Sequence, residues 1–299
     1  MLDSLDIYVI SLKNSKRYAT CQAVVDNPPL NNHPIKFTFH MFDAIDKHSH
    51  YFKKDLGYTG LIENVYNPKW LKGNAWFESY DGREMLAEEL GCYASQYMLW
   101  IKCIESNKPI CILEDDFGLQ HNFYESLIDC LSSPFDLVRL WAGFSYGVDG
   151  FTSIISTQHG EQVCLTDPEK EIIFLKHFYF SVLDTYGNMA YYITPKAAKI
   201  LVSLSLHWCE PVDQFFNKVH AHKLPCMLYI PFSVLPNTHN TQSTIYSQEN
   251  ATLLKNDPIY KKKTKVSYWR ILFEKIRRIY YYHYFVRKYA SLTDYTINS

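Results

Sequence analysis

The sequence predicts an α/β fold built on a mostly parallel central sheet, followed by a basic amphipathic helix. Three observations predict it. Apolar runs of strand length alternate with helical patterns. The run "PICILEDDF" is apolar without alternation, as in a strand covered on both faces. Residues 260–289 are basic and aromatic with a helical period. The expected division is a catalytic-size domain over 1–256 and a helical tail over 257–299.

The elements follow in order. "DIYVISL" (6–12) is a β-branched apolar run that reads as an opening, buried strand. At "KNSKRYATCQAVV" the chain turns basic, with Lys13, Lys16 and Arg17 at the join and a helix beyond. "IKFTFHMFDAID" (35–46) alternates apolar and polar residues as a second strand, ending at Asp43 and Asp46. Residues 47–82 mix Gly, Pro, Asn, Lys and Tyr without a period, the pattern of a lid, an insertion or a misread element. Beyond Arg83, the residues Leu86, Leu90, Tyr93, Tyr97, Trp100 and Ile104 recur at steps of four and three, on one face of a helix that stops near "SNKP". Gly91 inside that helix costs propensity and predicts a close approach of backbone or ligand. "FDLVRLW" (135–141) and "GNMAYYIT" (187–194) are further strands, and Thr194-Pro195 is a cap and first-turn pair for the helix "PKAAKILVSL".

Composition narrows the function. The 299 residues are 47% hydrophobic and 20% charged, enough for a sizeable core. The formal net charge is -1, so no global field draws the chain to nucleic acid. Aromatic content of 16%, from 24 Tyr and 18 Phe among others, suits surfaces where rings meet sugars, bases or a membrane interface. The eight cysteines are scattered without a CxxC pair, which reads as a reducing compartment. The N-terminus carries Asp3 and Asp6 where a signal peptide needs positive charge, and no run of about 18 apolar residues follows. The expected location is cytoplasmic. As a helix, the tail puts Trp269, Leu272, Phe273, Ile276, Ile279 and Tyr280 on one face and Arg270, Lys275, Arg277 and Arg278 on the other. That pattern fits an anionic membrane surface, on the inner face of an inner membrane, or docking on the chain's own domain.

The chemistry centres on Glu114, Asp115 and Asp116. Acids at the carboxyl end of a buried strand sit where open α/β sheets bind ligands. Adjacent carboxylates raise one another's pKa unless a cation neutralises them, and hard oxygen ligands suit Mn²⁺ or Mg²⁺ bridging the phosphates of a nucleotide. A nucleotidyltransferase would instead want a Gly-rich phosphate loop, and "VISLKNSKR" has no glycine.

The stretches "IYVISLKNSKR", "FDAID", "EELGCYASQYMLWIKCIESN", "ICILEDDF", "GNMAYYITPKAAKIL" and "PVDQFF" together, in order over roughly residues 5–250, resemble bacterial glycosyltransferase family 25, the lipopolysaccharide sugar transferases. The resemblance implies a GT-A-type, Rossmann-like nucleotide-sugar fold. It also implies inverting transfer of a hexose, most often galactose from UDP-galactose, onto an oligosaccharide or glycolipid acceptor. The triplet would be this chain's DxD motif, with Asp116 on Mn²⁺ and with Glu114 and Asp115 toward the nucleotide. Arg17, Asp43 and the Glu89 to Ser95 segment would lie around the nucleotide, and His239 would complete the metal shell. Inversion needs a base for the acceptor hydroxyl; Asp213 in "PVDQFF" is the candidate, with Asp184 and Glu210 in reserve. The same Asp213 also suits a helix N-cap. One departure stands out: the family's Ser-His is Ser95-Gln96 here, which removes any acid or base role at that point. The alternative function is a non-catalytic nucleotide-sugar or glycan binding protein.

Overall fold

The computed structural model describes residues 4–52, 61–71, 74, 76–77, 83–144, 154–156, 163–165, 173–180, 185–237 and 268–293. Strand β1 (Ser4–Ser11) leads through α1 (Tyr18–Asp26) to β2 (Lys36–Asp43). A short helix α2 (Leu61–Val65) and a 3-10 turn (Pro68–Leu71) precede the long helix α3 (Ala87–Ser106). Then come β3 (Ile110–Glu114), β4 (Phe117–Leu119), α4 (Phe123–Ser132), β5 (Leu137–Arg139) and β6 (Gly143–Phe144). The next strands are β7 (Ile154–Ser156), β8 (Val163–Leu165), β9 (Ile173–Phe174), β10 (Phe178–Phe180), β11 (Thr185–Tyr186) and β12 (Ala190–Ile193). Helices α5 (Pro195–Leu204), α6 (Val212–Phe216) and α7 (Val219–His222) lead to β13 (Met227–Tyr229) and β14 (Val234–Pro236), and α8 (Tyr268–Lys288) lies near the C-terminus.

Eight strands form the central sheet in the order β2-β1-β3-β12-β5-β13-β10-β9. β1 is flanked in parallel by β2 and β3, and β13 runs parallel to β5. β12 enters antiparallel between β3 and β5, and β10 is antiparallel to both β13 and β9. The sheet is therefore mixed, with β12 and β10 running against the rest. Apolar periodicity marks a strand without giving its direction, so "GNMAYYIT" was legible as a strand while its reversal was not.

Why the strands read as continuous apolar runs is visible in β1. Tyr8 and Ile10 join one core layer with Trp100, Tyr191, Trp208 and Phe216. Ile7 and Val9 join the other, with Leu113, Phe123, Leu127, Phe178 and Phe285. Both faces are covered, so alternation disappears.

Three local predictions meet their physical reasons. A Cβ at Gly91 would lie 2.4 Å from the carbonyl oxygen of Ile45, so the close approach is one of backbone. α5 starts at Pro195, and Thr194 Oγ1 accepts from the amide of Ala197. α3 ends at Asn107, which takes the left-handed conformation at φ 51°. The period-free stretch 47–82 has, in its described parts, α2 and a 3-10 turn, with α2 packed against α3; the Val65 carbonyl accepts from the amide of Trp208 at 2.6 Å.

α8 uses its C-terminal half to dock. Phe285 is fully buried, 5.4 Å edge-on from Phe180, and Tyr289 stands 5.1 Å from Phe135. Its N-terminal half leaves Trp269, Phe273 and Ile276 exposed, and Tyr280, just past the middle, continues the exposed row. Among the described residues no helix is long and apolar enough to cross a membrane.

Candidate functional site

The acidic triplet leaves the sheet where β3 ends, between the ends of β1 and β12. Its members have different partners. Asp115 is held from the β1 side: Arg17 Nη1 donates to Oδ1 at 2.8 Å and Ser11 Oγ to Oδ2 at 3.1 Å. Glu114 faces α3, where Gln96 Nε2 donates to its Oε1 at 2.9 Å. Asp116 is tied through its backbone, its carbonyl accepting from the amide of Asn237 at 2.7 Å. The side-chain Oδ1 of Asp116 is buried and has no hydrogen-bond partner.

Electrostatics sharpen that difference. Burial pushes Glu114 up from the usual carboxylate range to about 8, and the neighbouring charges of Asp116, Asp213 and Asp115 add to the rise against the Gln96 hydrogen bond. Burial likewise raises Asp116, with Asp115 adding and Arg17 opposing. Cys92, on α3, has its thiol pushed up by burial and then by Glu114, Glu89, Asp115 and Asp213, so these four acids share one neighbourhood.

Asp213 comes from the first turn of α6. The N-cap of that helix is Pro211, two residues before Asp213, so Asp213 does not take the capping position. The Asp213 carboxylate is aimed by two backbone amides: Gln214 N donates to Oδ1 at 2.9 Å and Gly187 N to Oδ2 at 3.1 Å. Its backbone oxygen accepts from Nη2 of Arg139 at 3.1 Å. Arg139 is fully buried at the end of β5, its Nε and Nη1 have no partner, and its guanidinium lies 5.4 Å from the Phe216 ring centre. Both polar atoms of the Asn188 side chain are also buried without a partner.

The remaining sequence-predicted residues have structural partners. Glu89 forms a buried two-pronged pair with Arg83 at 2.7 and 2.8 Å and accepts from the Leu86 amide at the start of α3. Ser95 accepts from the Ile45 amide and donates to the Gly91 carbonyl, both at 2.8 Å, stitching α3 to the end of β2. Asp43 is exposed beside Lys13 and Tyr18. Glu210 is buried and paired with Lys218 at 2.6 Å. His239 and Asp184 lie outside the described residues.

Sequence reasoning missed the groups that arrange these acids: Arg139 and Gly187 around Asp213, and Gln96, held in turn by Tyr191, beside Glu114. Arg139 had a signal, a charged residue inside the apolar strand "FDLVRLW".

A cation fits this geometry in one respect. An unpaired buried carboxylate oxygen is the group that a hard divalent ion satisfies, and Mg²⁺-type sites use one or two carboxylates with waters and phosphates. Among the described residues no group of three or more His, Cys, Asp or Glu side chains is placed to hold a metal ion.

The family model for glycosyltransferase family 25 (LPS biosynthesis protein) matches residues 4–216. The chain belongs to glycosyltransferase family 25. The match runs from β1 to the end of α6, so it takes in the triplet and Asp213. Membership makes this glycosyltransferase a transferase of lipopolysaccharide biosynthesis, working between a nucleotide-sugar donor and a glycan acceptor. No curated protein matches the chain. Among solved structures, the crystal structure of A197 from STIV is similar at 12% identity and a TM-score of 0.32, over 75% of this chain and 81% of that one, which is too slight to carry an argument.

Proposed function

We propose that the protein is an inverting, metal-dependent hexosyltransferase that moves galactose from UDP-galactose to a lipopolysaccharide or lipooligosaccharide acceptor. The observation that carries it is the meeting of Asp213 with the triplet at the start of β12: Gly187 N donates to Asp213 Oδ2 at 3.1 Å, and two residues on the Met189 carbonyl accepts from the Glu114 amide at 2.7 Å. One acid set binds and the other stands apart, as inversion requires.

In this reading Asp116 Oδ1 holds Mn²⁺ or Mg²⁺, with His239, two residues beyond Asn237, as a second ligand. When bound, such an ion supplies charge neutralisation for a departing diphosphate. Arg17 and Ser11 hold Asp115 on the β1 side, and Glu114 with Asp115 meets the nucleotide. The amides of Gln214 and Gly187 fix the direction of Asp213, which takes the proton of the acceptor hydroxyl as the new glycosidic bond forms. Glu89, Ser95 and Asp43 shape the nucleotide side by anchoring α3 and the end of β2.

The exposed stripe of α8 supports peripheral contact with an anionic membrane on the cytoplasmic side, where a glycolipid acceptor would be met. Trp269, Phe273, Ile276 and Tyr280 form the apolar face, flanked by the exposed Arg277 and Arg287. Removing the tail would strip Phe285 from the core, so Trp269→Ala with Phe273→Ala is the cleaner variant for sedimentation with phosphatidylglycerol vesicles. Binding equal to wild type would end the membrane reading.

The test of the main reading is UDP release from UDP-galactose, UDP-glucose and UDP-N-acetylglucosamine, with and without EDTA. Turnover of UDP-galactose that EDTA abolishes is expected. UDP binding without turnover of any donor would favour the non-catalytic alternative.

A further inference from the structure

The buried side chains of Trp100, Tyr191 and Gln96 form a chain of hydrogen bonds that ends on Glu114. Trp100 Nε1 donates to the Tyr191 hydroxyl at 2.8 Å, the Tyr191 hydroxyl donates to Gln96 Oε1 at 2.5 Å, and Gln96 Nε2 donates to Glu114 Oε1 at 2.9 Å. Trp100 and Tyr191 are fully buried and Gln96 nearly so.

The direction of this chain is fixed from its far end. An indole N–H can only donate, so the Tyr191 oxygen accepts there and spends its single proton on the next contact. That proton selects the oxygen end of the Gln96 amide, which turns the nitrogen end, a donor, onto Glu114. Whether Glu114 is charged or neutral, its Oε1 therefore serves as an acceptor inside the protein. Oε2 of Glu114 has no partner among the described residues and is the oxygen left for a ligand.

We infer that Gln96 is a positioning residue of the donor site: it commits one oxygen of Glu114 to the protein and presents the other to a hydroxyl-bearing nucleotide. This deepens the proposed UDP-sugar reading and rests on it. A glutamine suits the task because a carboxamide donates at one end and accepts at the other without changing charge. A neutral imidazole has the same pair of functions on its two nitrogens, whereas leucine has neither.

The test is calorimetric titration of UDP, with Mn²⁺ present, into wild type, Gln96→Leu, Gln96→His and Tyr191→Phe, each checked for an intact fold by circular dichroism. Losing the contact to Glu114 is expected to weaken UDP about tenfold in Gln96→Leu. Tyr191→Phe, which frees the amide to flip, is expected to fall between Gln96→Leu and wild type, and Gln96→His to stay close to wild type. In turnover, the weakening should appear as a raised KM for the donor with kcat nearly kept. If Gln96→Leu does not fold, Tyr191→Phe decides, and UDP binding in it equal to wild type overturns the inference. Binding unchanged in Gln96→Leu, or lost equally in a folded Gln96→His, overturns it while leaving the donor reading in place. Absence of UDP binding to wild type overturns both.

Discussion

Arg17 Nη1 stands 2.8 Å from Asp115 Oδ1, whereas Oδ1 of the adjacent Asp116 is buried without a hydrogen-bond partner. Both side chains are largely buried, at 15% and 19% exposure, so the pair is shielded from salt better than a surface bridge. A double-mutant cycle of Arg17→Met and Asp115→Asn, read by urea unfolding, should give a coupling on the order of 1 kcal/mol. Additive effects would show that the pair is not formed in solution.

Gly91 is irreplaceable for a backbone reason. Its absent Cβ makes room for the Ile45 carbonyl, and Ser95 bonds both Gly91 and Ile45 in the same spot. Gly91→Ala should cost roughly 1–3 kcal/mol despite the better helix propensity of alanine. Urea denaturation with an unchanged or raised midpoint would refute this.

Two buried groups bend the pH–stability curve in opposite directions. Glu114 rises from an ordinary 4.5 to about 8 in the folded state, so its contribution is complete below about 4.5 and is lost as pH rises through about 8. His222 is lowered from 6.5 to about 4 by burial, so its contribution is complete above about 6.5 and is lost as pH falls through about 4. The thermal midpoint of the ligand-free protein should therefore peak between these limits. In a melting series from pH 4 to 9, Glu114→Gln should flatten the alkaline limb; an unaltered limb would contradict the assignment.

Arg139 keeps a buried charge with only one described hydrogen bond, to the backbone of Asp213. Replacing such a charge with a well-packed apolar side chain is often neutral or stabilising. Arg139→Met should leave unfolding stability within about 1 kcal/mol of wild type, or raise it, while lowering kcat because Asp213 loses its anchor. A loss of several kcal/mol would mean that the guanidinium is a structural member of the core.

Much of the scaffold was legible because its signals are local. The apolar runs of β1 and β3, the four-three spacing of α3 and the Thr194-Pro195 start of α5 each depend on a few neighbouring residues. The reversal of β12, set by β3 and β5, and the β4–β14 pairing, in which Pro236 meets Phe117, depend on partners distant in the sequence. Among site residues, the triplet and Asp213 announced themselves as acids at element ends. Residue type gave no way to divide the triplet, because the partners that do so, Ser11, Arg17 and Gln96, reach it only through the sheet and α3. Glu89 and Ser95 show the converse. Both are polar residues on a site-facing helix, and the structure engages them with Arg83, Ile45 and Gly91.

The most direct measurement is Mn²⁺ binding followed by the loss of the free-ion electron paramagnetic resonance signal, with UDP present, in wild type, Asp116→Asn and Asp115→Asn. Asp116→Asn should abolish saturable binding, and Asp115→Asn should retain it within a few-fold. Equal retention in both variants would contradict the assignment of the cation to Asp116 and, with it, the division of labour within the triplet.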